Sequence, residues 1–255
     1  MDKNLLDRLY RSFLREDIGR GDLTSEAIFS ADQSGRADIV ARETFIIAGA
    51  EIIGGRVFTT QNPAIEIINP LDDGTEVQPG DLVFSVQGPV IDLLKAERTA
   101  LNLLQRISGI ATFTASFVDK VRDYPVRICD TRKTTPGLRM LEKYGVVVGG
   151  GSNHRFNLTD GILIKDNHIA ACGSISAAVE RVRLRVPHTI RIEVETDTLD
   201  QVRECLECGV DIIMLDNMSP ATMRQAVQII DGRALVEASG GIVLENLTAV
   251  AESGV

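Results

Sequence analysis

The sequence predicts an α/β protein in which a small mixed domain precedes a larger domain of repeated strand–helix units. Glycine is frequent, with 22 residues in 255, and aromatic residues make up only 4%, which favours an architecture with many strand–helix turns. Strand-like runs alternate with helical patterns at nearly constant spacing through the second half of the chain. Hydrophobic residues make up 44% and charged residues 25%, a balance typical of a globular enzyme with an ample core.

The first domain begins with an amphipathic helix at residues 4–14, where leucine and aromatic side chains recur at helical spacing. A second helix at about 49–59 interrupts a set of short extended runs. These runs cover 36–41, 44–48, 64–69 and 82–86. Turn sequences separate the later runs. We therefore predict a small α+β domain at roughly residues 1–105.

A long helical segment follows from Val90 to about Val121, and Gly109 predicts a break in it. Leu94, Arg98 and Leu101 are spaced so that Arg98 falls on the apolar stripe of this helix. A buried arginine is costly unless it is paired or presented to an anion. Arg98 is therefore a candidate anion-binding residue, although an arginine at the edge of the stripe could also extend its guanidinium into water.

The second domain, residues 106–255, is built on a repeat. Strand-like runs end in IEVE (192–195), MLDN (214–217) and EASG (237–240), and helical patterns separate them at about 198–208 and 220–230. Further strands are expected at 126–130 and 161–165. Repeated units of this kind give parallel strands covered by helices, in a barrel or an open doubly wound sheet. A helix is expected to about Ser253, and a barrel on this repeat would then lack its last strand.

Each expected strand of the second domain places a polar residue at its carboxyl end, where ligands bind in parallel α/β folds. These residues are Asp130, Lys165, Glu195, Asp216 and Ser239. Glu195 and Asp216 end neighbouring strands, and two such carboxylates are suited to holding Mg²⁺ directly or through its waters. We assign Glu193 to the opposite side of its strand and expect no role for it.

The charge distribution points to a small anionic ligand rather than a nucleic acid. The net charge of −9 argues against a basic surface for nucleic acids. Residues 126–165 nevertheless hold seven basic and three acidic side chains, a local charge of +4. This segment is either a solvated basic face or a pocket for a polyanionic small molecule.

Three loops supply residue types that bind anions. DTRKTTPG (130–137) offers Arg132 and Lys133 with hydroxyl and backbone donors. GGGSNHR (149–155) is a close-approach loop that ends in His154 and Arg155, a pair suited to an aromatic carboxylate. Ser239, Gly240 and Gly241 are expected to open a helix and to bind phosphate through backbone N–H groups. Each loop could also be an ordinary surface turn.

Other candidate residues receive structural roles. We expect His168 to be a hydrogen-bonded structural histidine, whereas Lys165 is either a surface lysine or a further cation of the site. Cys205 and Cys208 form a lone pair on a predicted helix, and core packing is favoured over zinc or redox chemistry. The N-terminus shows no signal-peptide pattern, no stretch approaches a membrane span, and four cysteines do not form a disulfide framework. A cytoplasmic protein without membrane contact is therefore expected.

Taken together, these segments resemble the quinolinate phosphoribosyltransferase family. The similar runs are EDIGRGDLTSEAI, ERTALNLLQRISGIAT, DTRKTTPGLRMLEKY, GGGSNHRFNLTDGILIKDNHI, IEVE, MLDNMSP and EASGGI. They span nearly the whole chain, and the DTRKTTPG and NHR…IKDNH runs are highly specific. The resemblance implies an N-terminal α/β sandwich domain followed by an incomplete, open α/β barrel, as in type II phosphoribosyltransferases. Relative to the family, we expect the C-terminal strand and tail to be missing.

The resemblance also implies an activity and a site. The activity is transfer of phosphoribose from phosphoribosyl pyrophosphate to quinolinate, with Mg²⁺, release of pyrophosphate and decarboxylation. The implied assembly is a homodimer whose active sites are shared between subunits. The residues implied to bind substrate are Arg98 from the neighbouring subunit, Arg132, Lys133, His154, Arg155, Lys165, Ser239, Gly240 and Gly241. Lys133, Lys165, Glu195 and Asp216 are the expected catalytic residues, and Glu195 and Asp216 the expected metal ligands.

Three alternatives compete with this interpretation. A paralogue of the same fold could use another acceptor, as do relatives associated with molybdenum transport, although the complete DTRKTTPG and NHR motifs favour quinolinate. A non-catalytic anion-binding protein would bind quinolinate or phosphate without releasing pyrophosphate. A generic phosphate-binding barrel would explain neither the His154–Arg155 pair nor Arg98.

Overall fold

The computed structural model describes residues 2–255 and divides them into two compact units. The first unit comprises the residues up to Ala115 together with Thr134–Ser152, and the second comprises Ser116–Lys133 and Asn153–Val255. This division differs from a simple cut between residues 105 and 106, because the segment Thr134–Ser152 packs into the first unit. Among the described residues, none of the helices has the length and apolar character needed to cross a membrane.

The first unit contains two small antiparallel sheets and helices around them. Its helices are α1 (Lys3–Ile18), α2 (Leu23–Ile28), α3 (Arg56–Gln61), α4 (Val90–Lys120), which continues into the second unit, and α5 (Arg139–Val148). Its strands are β1 (Ser34–Val40), β2 (Phe45–Ile46), β3 (Glu66–Ile68), β4 (Glu76–Val77) and β5 (Leu82–Pro89). One sheet has the order β1-β5-β3 and the other pairs β2 with β4. A π-helical turn, Ala50–Gly55, precedes α3 where one longer helix was expected.

The helix predicted at residues 4–14 is confirmed as α1. Its first turn is capped by Asp2, whose carboxylate accepts hydrogen bonds from the Asn4 and Leu5 amides. Leu6, Tyr10 and Leu14 are buried on one face. The Tyr10 hydroxyl donates to the carbonyl oxygen of Ile52 at 3.0 Å, so the polar end of this buried ring is satisfied.

Two expectations for the long helix are wrong. The helix α4 continues through Gly109 without a break, because Ile107 and Ala111 on either side of it are fully buried and their packing outweighs the low helix propensity of one glycine. Arg98 does not lie on the buried stripe either. It is exposed, and Leu94, its expected apolar neighbour, is 40% exposed. The buried face follows another set of positions: Leu93, Ala96, Ala100, Leu103, Leu104 and Ile107.

The close-approach loop predicted at Gly149–Gly151 is confirmed within the first unit. A methyl group at Gly149 would overlap the carbonyl oxygen of Ala111, and one at Gly151 would lie 2.7 Å from Val146. A methyl group at Gly145, on α5, would lie 2.9 Å from the carbonyl oxygen of Ile107. Glycines therefore let α5 and the following loop lie directly against α4, which explains why this segment belongs to the first unit.

The second unit is a parallel sheet with helices on one face. Its strands β6 (Ile162–Ile164), β7 (Ile192–Thr196), β8 (Ile212–Asp216) and β9 (Leu235–Ser239) pair in that order. Its own helices are α6 (Asp166–Cys172), α7 (Ile175–Arg183), α8 (Leu199–Cys208), α9 (Pro220–Ile230) and α10 (Leu247–Ala251). The expected parallel α/β architecture is confirmed, and within residues 2–255 the four strands form an open sheet that does not close into a barrel.

The prediction of a strand at residues 126–130 is wrong. Only Cys129 makes an isolated bridge, and the sheet of the second unit begins at β6. Val126 and Ile128 pack instead against a separate apolar cluster formed by Val121, Leu247 and Ala251. Alternating apolar residues in a short run fit such a cluster as well as a sheet, because both bury every second side chain.

Alternation along the strands separates the two faces of the sheet. Ile164, Val194, Ile213 and Leu215 lie on the face covered by helices and are almost completely buried. The residues between them point to the other face, since successive side chains on a strand alternate. Register pairs Glu195 with Met214 and Met214 with Glu237, so these three side chains form one row on the uncovered face.

We predict opposite effects for two glycine substitutions in the first unit. Gly149→Ala forces a methyl group against the Ala111 carbonyl and should lower the free energy of unfolding by about 1–3 kcal/mol. Gly109→Ala adds a methyl group that meets nothing within 4 Å, and should raise helix stability by up to about 1 kcal/mol. Urea unfolding of both variants measures the difference, and equal midpoints would contradict the proposed close contact.

Candidate active site

Glu195 and Asp216 lie at the carboxyl ends of the neighbouring strands β7 and β8, as predicted, and both point to the uncovered face of the sheet. The Lys165 ammonium donates a hydrogen bond to Glu195, and the Asn217 side-chain amide donates to Asp216 at 2.8 Å. Lys165 follows β6 directly, so the cation and the carboxylate end adjacent strands. The structure therefore brings together three of the four expected catalytic residues.

A cavity of about 290 Å³ opens at the carboxyl ends of these strands. Its lining residues are Asp166, Ile169, Ala170, Glu195, Asp197, Gln201 and Asp216. Four carboxylates around one small cavity form a strongly negative environment, and carboxylate oxygens are the ligands that Mg²⁺ prefers. Glu195 and Asp216 therefore fit the expected metal ligands, and Asp166 and Asp197 are two further acids of the cavity that strand-end position does not indicate.

His154 is held between two carboxylates on the same face of the sheet. Its Nε2 lies 3.1 Å from an oxygen of Glu193 and 3.6 Å from an oxygen of Glu237. The assignment of Glu193 to the opposite side of its strand is wrong, because residues two apart on a strand share a face and Glu193 therefore points the same way as Glu195. Glu237 lies in the row with Glu195, one strand beyond Met214.

These contacts shift the protonation of the cluster formed by His154, Glu193 and Glu237. The hydrogen bond to Glu193 raises the pKa of His154, and the charges of Glu193 and Glu237 add to this, while burial and Arg155 act in the opposite direction. Burial raises the pKa of Glu237, and the charge of Glu193 raises it further. The imidazolium form of His154 is thus favoured over a wider pH range than in a free histidine.

The loop that carries His154 and Arg155 is fixed by backbone contacts. The His154 backbone N–H donates to the Asp130 carboxylate at 2.9 Å. The Arg155 guanidinium donates to the carbonyl oxygen of Gly161 at 3.1 Å, just before β6. Asp130, expected at the end of a strand, instead anchors this loop.

The remaining predicted cations are placed as follows. Arg132 is partly buried and Lys133 is exposed, and the Lys133 backbone N–H donates to the Thr131 hydroxyl in a tight turn. Both belong to the second unit, together with His154, Arg155 and Lys165. Arg98 belongs to the first unit, so its assignment to a shared site stays a prediction.

The loop Ser239–Gly241 does not open a helix, contrary to the prediction. The next helix, α10, begins only at Leu247 and has five residues. The loop is closed by Asn246, whose side-chain amide donates to the carbonyl oxygen of Gly241 at 2.8 Å and whose side-chain oxygen accepts from the Val243 amide. Any phosphate bound here would therefore meet the loop's own N–H groups rather than the dipole of a helix.

Asn217 links the end of β8 to this loop. It adopts a left-handed backbone conformation with φ of 54°, and its N–H donates to the carbonyl oxygen of Ser239 at 2.9 Å. Its side chain lies where a methyl group on Gly240 would be. Asn217 therefore contacts both Asp216 and the expected phosphate-binding loop, Ser239–Gly241. The only sequence signal for these contacts is its position directly after an aspartate at the end of a strand.

The hydrogen bond expected for His168 and the core packing expected for Cys205 are confirmed. His168 accepts a hydrogen bond from the Lys165 backbone N–H at its Nδ1, at 2.9 Å, where α6 begins. Cys205 is fully buried in the apolar core of the second unit, and burial raises the pKa of its thiol to about 12. A thiol that stays protonated is unreactive at neutral pH.

We predict that Gly240→Ala destabilises the protein more than Gly241→Ala. Both glycines have positive φ, at 83° and 63°, so alanine at either position should cost about 1–2 kcal/mol in backbone strain. Only Gly240 has the Asn217 side chain in the path of the new methyl group. Thermal unfolding compares the two variants, and an equal loss of stability would show that the contact with Asn217 has no energetic role.

Comparisons with known proteins agree with this architecture. Two family models match the chain: the N-terminal domain of quinolinate phosphoribosyl transferase over residues 22–108 and its C-terminal domain over residues 110–255. The probable nicotinate-nucleotide pyrophosphorylase [carboxylating] of Bacillus subtilis is 49% identical over 250 residues, covering 98% of this chain and 86% of that protein.

Solved structures give the same result. NadC from Streptococcus pyogenes is 42% identical, with a TM-score of 0.94 over 100% of this chain and 89% of its own. The nicotinate-nucleotide pyrophosphorylase from Ehrlichia chaffeensis is 40% identical, with a TM-score of 0.91 over 97% and 90%. Since the two family models together span most of the sequence, the chain belongs to the quinolinate phosphoribosyltransferase family.

Proposed function

We propose that this protein transfers phosphoribose from phosphoribosyl pyrophosphate to quinolinate and decarboxylates the product, giving nicotinate mononucleotide, pyrophosphate and CO₂ for the synthesis of NAD. One observation carries the proposal: the side chains of Glu195 and Asp216 share one face of the parallel sheet with the His154 side chain, and a carboxylate-lined cavity opens at the carboxyl ends of the same strands. Names of relatives that act on quinolinate or form nicotinate nucleotide support the choice of substrate.

Quinolinate is a pyridine with two carboxylates and needs cationic partners. Arg132, Lys133, His154 and Arg155 would bind these carboxylates, because guanidinium and imidazolium groups make strong charge-assisted hydrogen bonds to them. Arg98 would come from the neighbouring subunit of a homodimer. Its exposure on α4 is compatible with such a contact, since an exposed arginine can meet a second chain. We place this homodimer in the cytoplasm.

Phosphoribosyl pyrophosphate would bind at the carboxyl ends of the strands. Glu195 and Asp216 would hold Mg²⁺, which when bound supplies positive charge to the departing pyrophosphate. Lys165 would approach the same phosphates, and the hydrogen bond from its ammonium to Glu195 supports this role. Backbone N–H groups of Ser239, Gly240 and Gly241 would bind the 5′-phosphate.

In the proposed reaction the pyridine nitrogen attacks the anomeric carbon of the ribose as the bond to pyrophosphate breaks. Positive charge that develops on the ribosyl carbon is stabilised by Glu195 and Asp216. The positive charge on the pyridinium nitrogen then stabilises the electron pair left on the adjacent ring carbon when the neighbouring carboxylate leaves as CO₂. The electron pair that remains on the ring carbon takes up a proton, which completes nicotinate mononucleotide. The protein's main task is to position two anions and to stabilise transient charge.

The test is quinolinate-dependent release of pyrophosphate from phosphoribosyl pyrophosphate in the presence of Mg²⁺. We expect release with quinolinate and none with nicotinate, because nicotinate lacks the second carboxylate that the cationic loops would bind. Removal of Mg²⁺ with a chelator should abolish release. Binding of quinolinate without release would support a non-catalytic anion-binding protein instead, and equal release with both acceptors would refute the assigned specificity.

We predict that two variants separate the metal side from the quinolinate side. Asp216→Asn should lower kcat by about 100-fold or more with little change in the KM for quinolinate, since it removes charge that acts in the transition state. Arg155→Ala should mainly raise the KM for quinolinate. Asp200→Asn is the control, because Asp200 is a surface acid on α8 whose side chain is 94% exposed. Loss of activity in the control, or wild-type kinetics in Arg155→Ala, would count against the assignment.

A further inference from the structure

The cluster of His154, Glu193 and Glu237 contains two acids to which the proposed reaction gives no task. His154 comes from a loop, Glu193 from β7 and Glu237 from β9, so three separate segments converge on one imidazole nitrogen. The nitrogen and the two carboxylates lie within 4.8 Å of one another. Such convergence on one face of the sheet indicates that the glutamates act on the histidine.

We propose that Glu193 and Glu237 are positioning residues that keep His154 as an imidazolium cation in a fixed orientation, and that they thereby set the affinity of the site for quinolinate. The inference rests on the proposed function, because it assumes that His154 meets a substrate carboxylate. It adds that the affinity depends on two acids that would not themselves contact the substrate.

Burial of Glu193 is the first support. This residue is 3% exposed, and an ionised carboxylate in such a position is costly unless a cation or several donors compensate it. One of its oxygens accepts from His154, and the other has no hydrogen-bond partner among residues 2–255. The positive charge of His154 is therefore the compensation that the structure provides, and loss of its proton would leave Glu193 facing a neutral ring.

The charges around His154 favour the same conclusion. Glu193 on β7 and Glu237 on β9 raise its pKa, and Arg155, its neighbour in the loop, lowers it. Asp130 binds the His154 backbone N–H, and Arg127 lies close enough to Glu237 to lower the pKa of that carboxyl. The hydrogen bond to Glu193 at 3.1 Å and the charges of Glu193 and Glu237 outweigh burial and Arg155, so the pKa of His154 is raised.

The geometry fixes orientation as well as charge. Asp130 holds the backbone of His154 at 2.9 Å, and Glu193 holds the ring at Nε2. With both ends of the residue tied, the imidazole loses little further freedom when a ligand binds, which favours affinity. If the ring were neutral, the backbone hydrogen bond to Asp130 would remain, but the hydrogen bond to Glu193 would no longer be charge-assisted.

The test uses the histidine content of the chain, which is three residues. Protein labelled with ¹⁵N-histidine gives three pairs of ring-nitrogen signals, assigned with His168→Gln and His188→Gln. We expect His154 to titrate above the ordinary value of 6.5 and to titrate lower in Glu193→Gln and, to a smaller extent, in Glu237→Gln. Glutamine can still accept a hydrogen bond, so these variants remove charge and keep shape. A chelator is present during the NMR titration, because the three groups are close enough to bind a metal ion.

Kinetics connect the titration to binding. The raised pKa means that the imidazolium, and with it tight quinolinate binding, persists at low pH and is lost as the pH rises through that pKa. Glu193→Gln should shift this loss to lower pH, so that at one pH unit above the lowered pKa its KM for quinolinate is about tenfold its own low-pH value. The KM for phosphoribosyl pyrophosphate should stay unchanged. Glu180→Gln, an exposed acid on α7, is the matched control and should alter neither.

The results can distinguish failure of this proposal from failure of the proposed enzymatic function. A His154 titration and a quinolinate KM profile that both stay unchanged in Glu193→Gln would overturn it. So would a lowered His154 pKa without any shift of the KM profile, because charge would then not control affinity. Urea unfolding checks that each variant is folded. If the wild-type protein released no pyrophosphate with quinolinate, the proposed function would fail, while the NMR titration would still measure the coupling of Glu193 to His154.

Discussion

Side-chain alternation along the four parallel strands is the constraint on which the site depends. One face of the sheet must be apolar, since helices cover it and bury Val194 and Leu215 completely. Because side chains alternate along a strand, the residues that flank Val194 and Leu215 point to the other face. Glu193, Glu195 and Asp216 therefore share that face. A shift of register by one residue would bury the carboxylates against the helices and expose the core, so the hydrophobic face also fixes the geometry of the charged one.

Charge compensation then decides which side chains can occupy the uncovered face. Glu195 is offset by Lys165, whose backbone N–H in turn binds His168 at the start of α6. Glu193 is offset by His154. In both pairs the carboxylate lies on a strand, whereas the cation comes from the end of a strand or from a loop. An arrangement of this kind suits a site that receives ligands of both signs.

Much of this could be predicted from the sequence, because strongly periodic segments determine their own structure. The β7, β8 and β9 strands and the helices between them follow regular apolar patterns, and Glu195 and Asp216 were placed correctly by strand-end position alone. The failures have local causes. Val126 and Ile128 alternate like a strand but pack in a small separate cluster, and Gly109 is outweighed by its buried neighbours. Glu237 gave no signal of its own, because only the three-dimensional register brings it beside His154.

The distribution of charge also accounts for how an acidic site could serve anionic substrates. The cavity at Glu195 is lined by four carboxylates, and a pyrophosphate ester could not enter it alone against that potential. Under the proposed function a divalent cation accompanies the phosphates, and the same carboxylates then favour the positive charge that grows on the ribosyl carbon. The cationic side chains lie in loops instead, at Arg132, His154 and Arg155. Under the proposed function, the acids on the strands stabilise the positive charge of the transition state, and the cations on the loops bind the anionic substrates. Charge that stabilises a transition state must not move during the reaction, and the strands of a sheet are rigid enough to hold it in place.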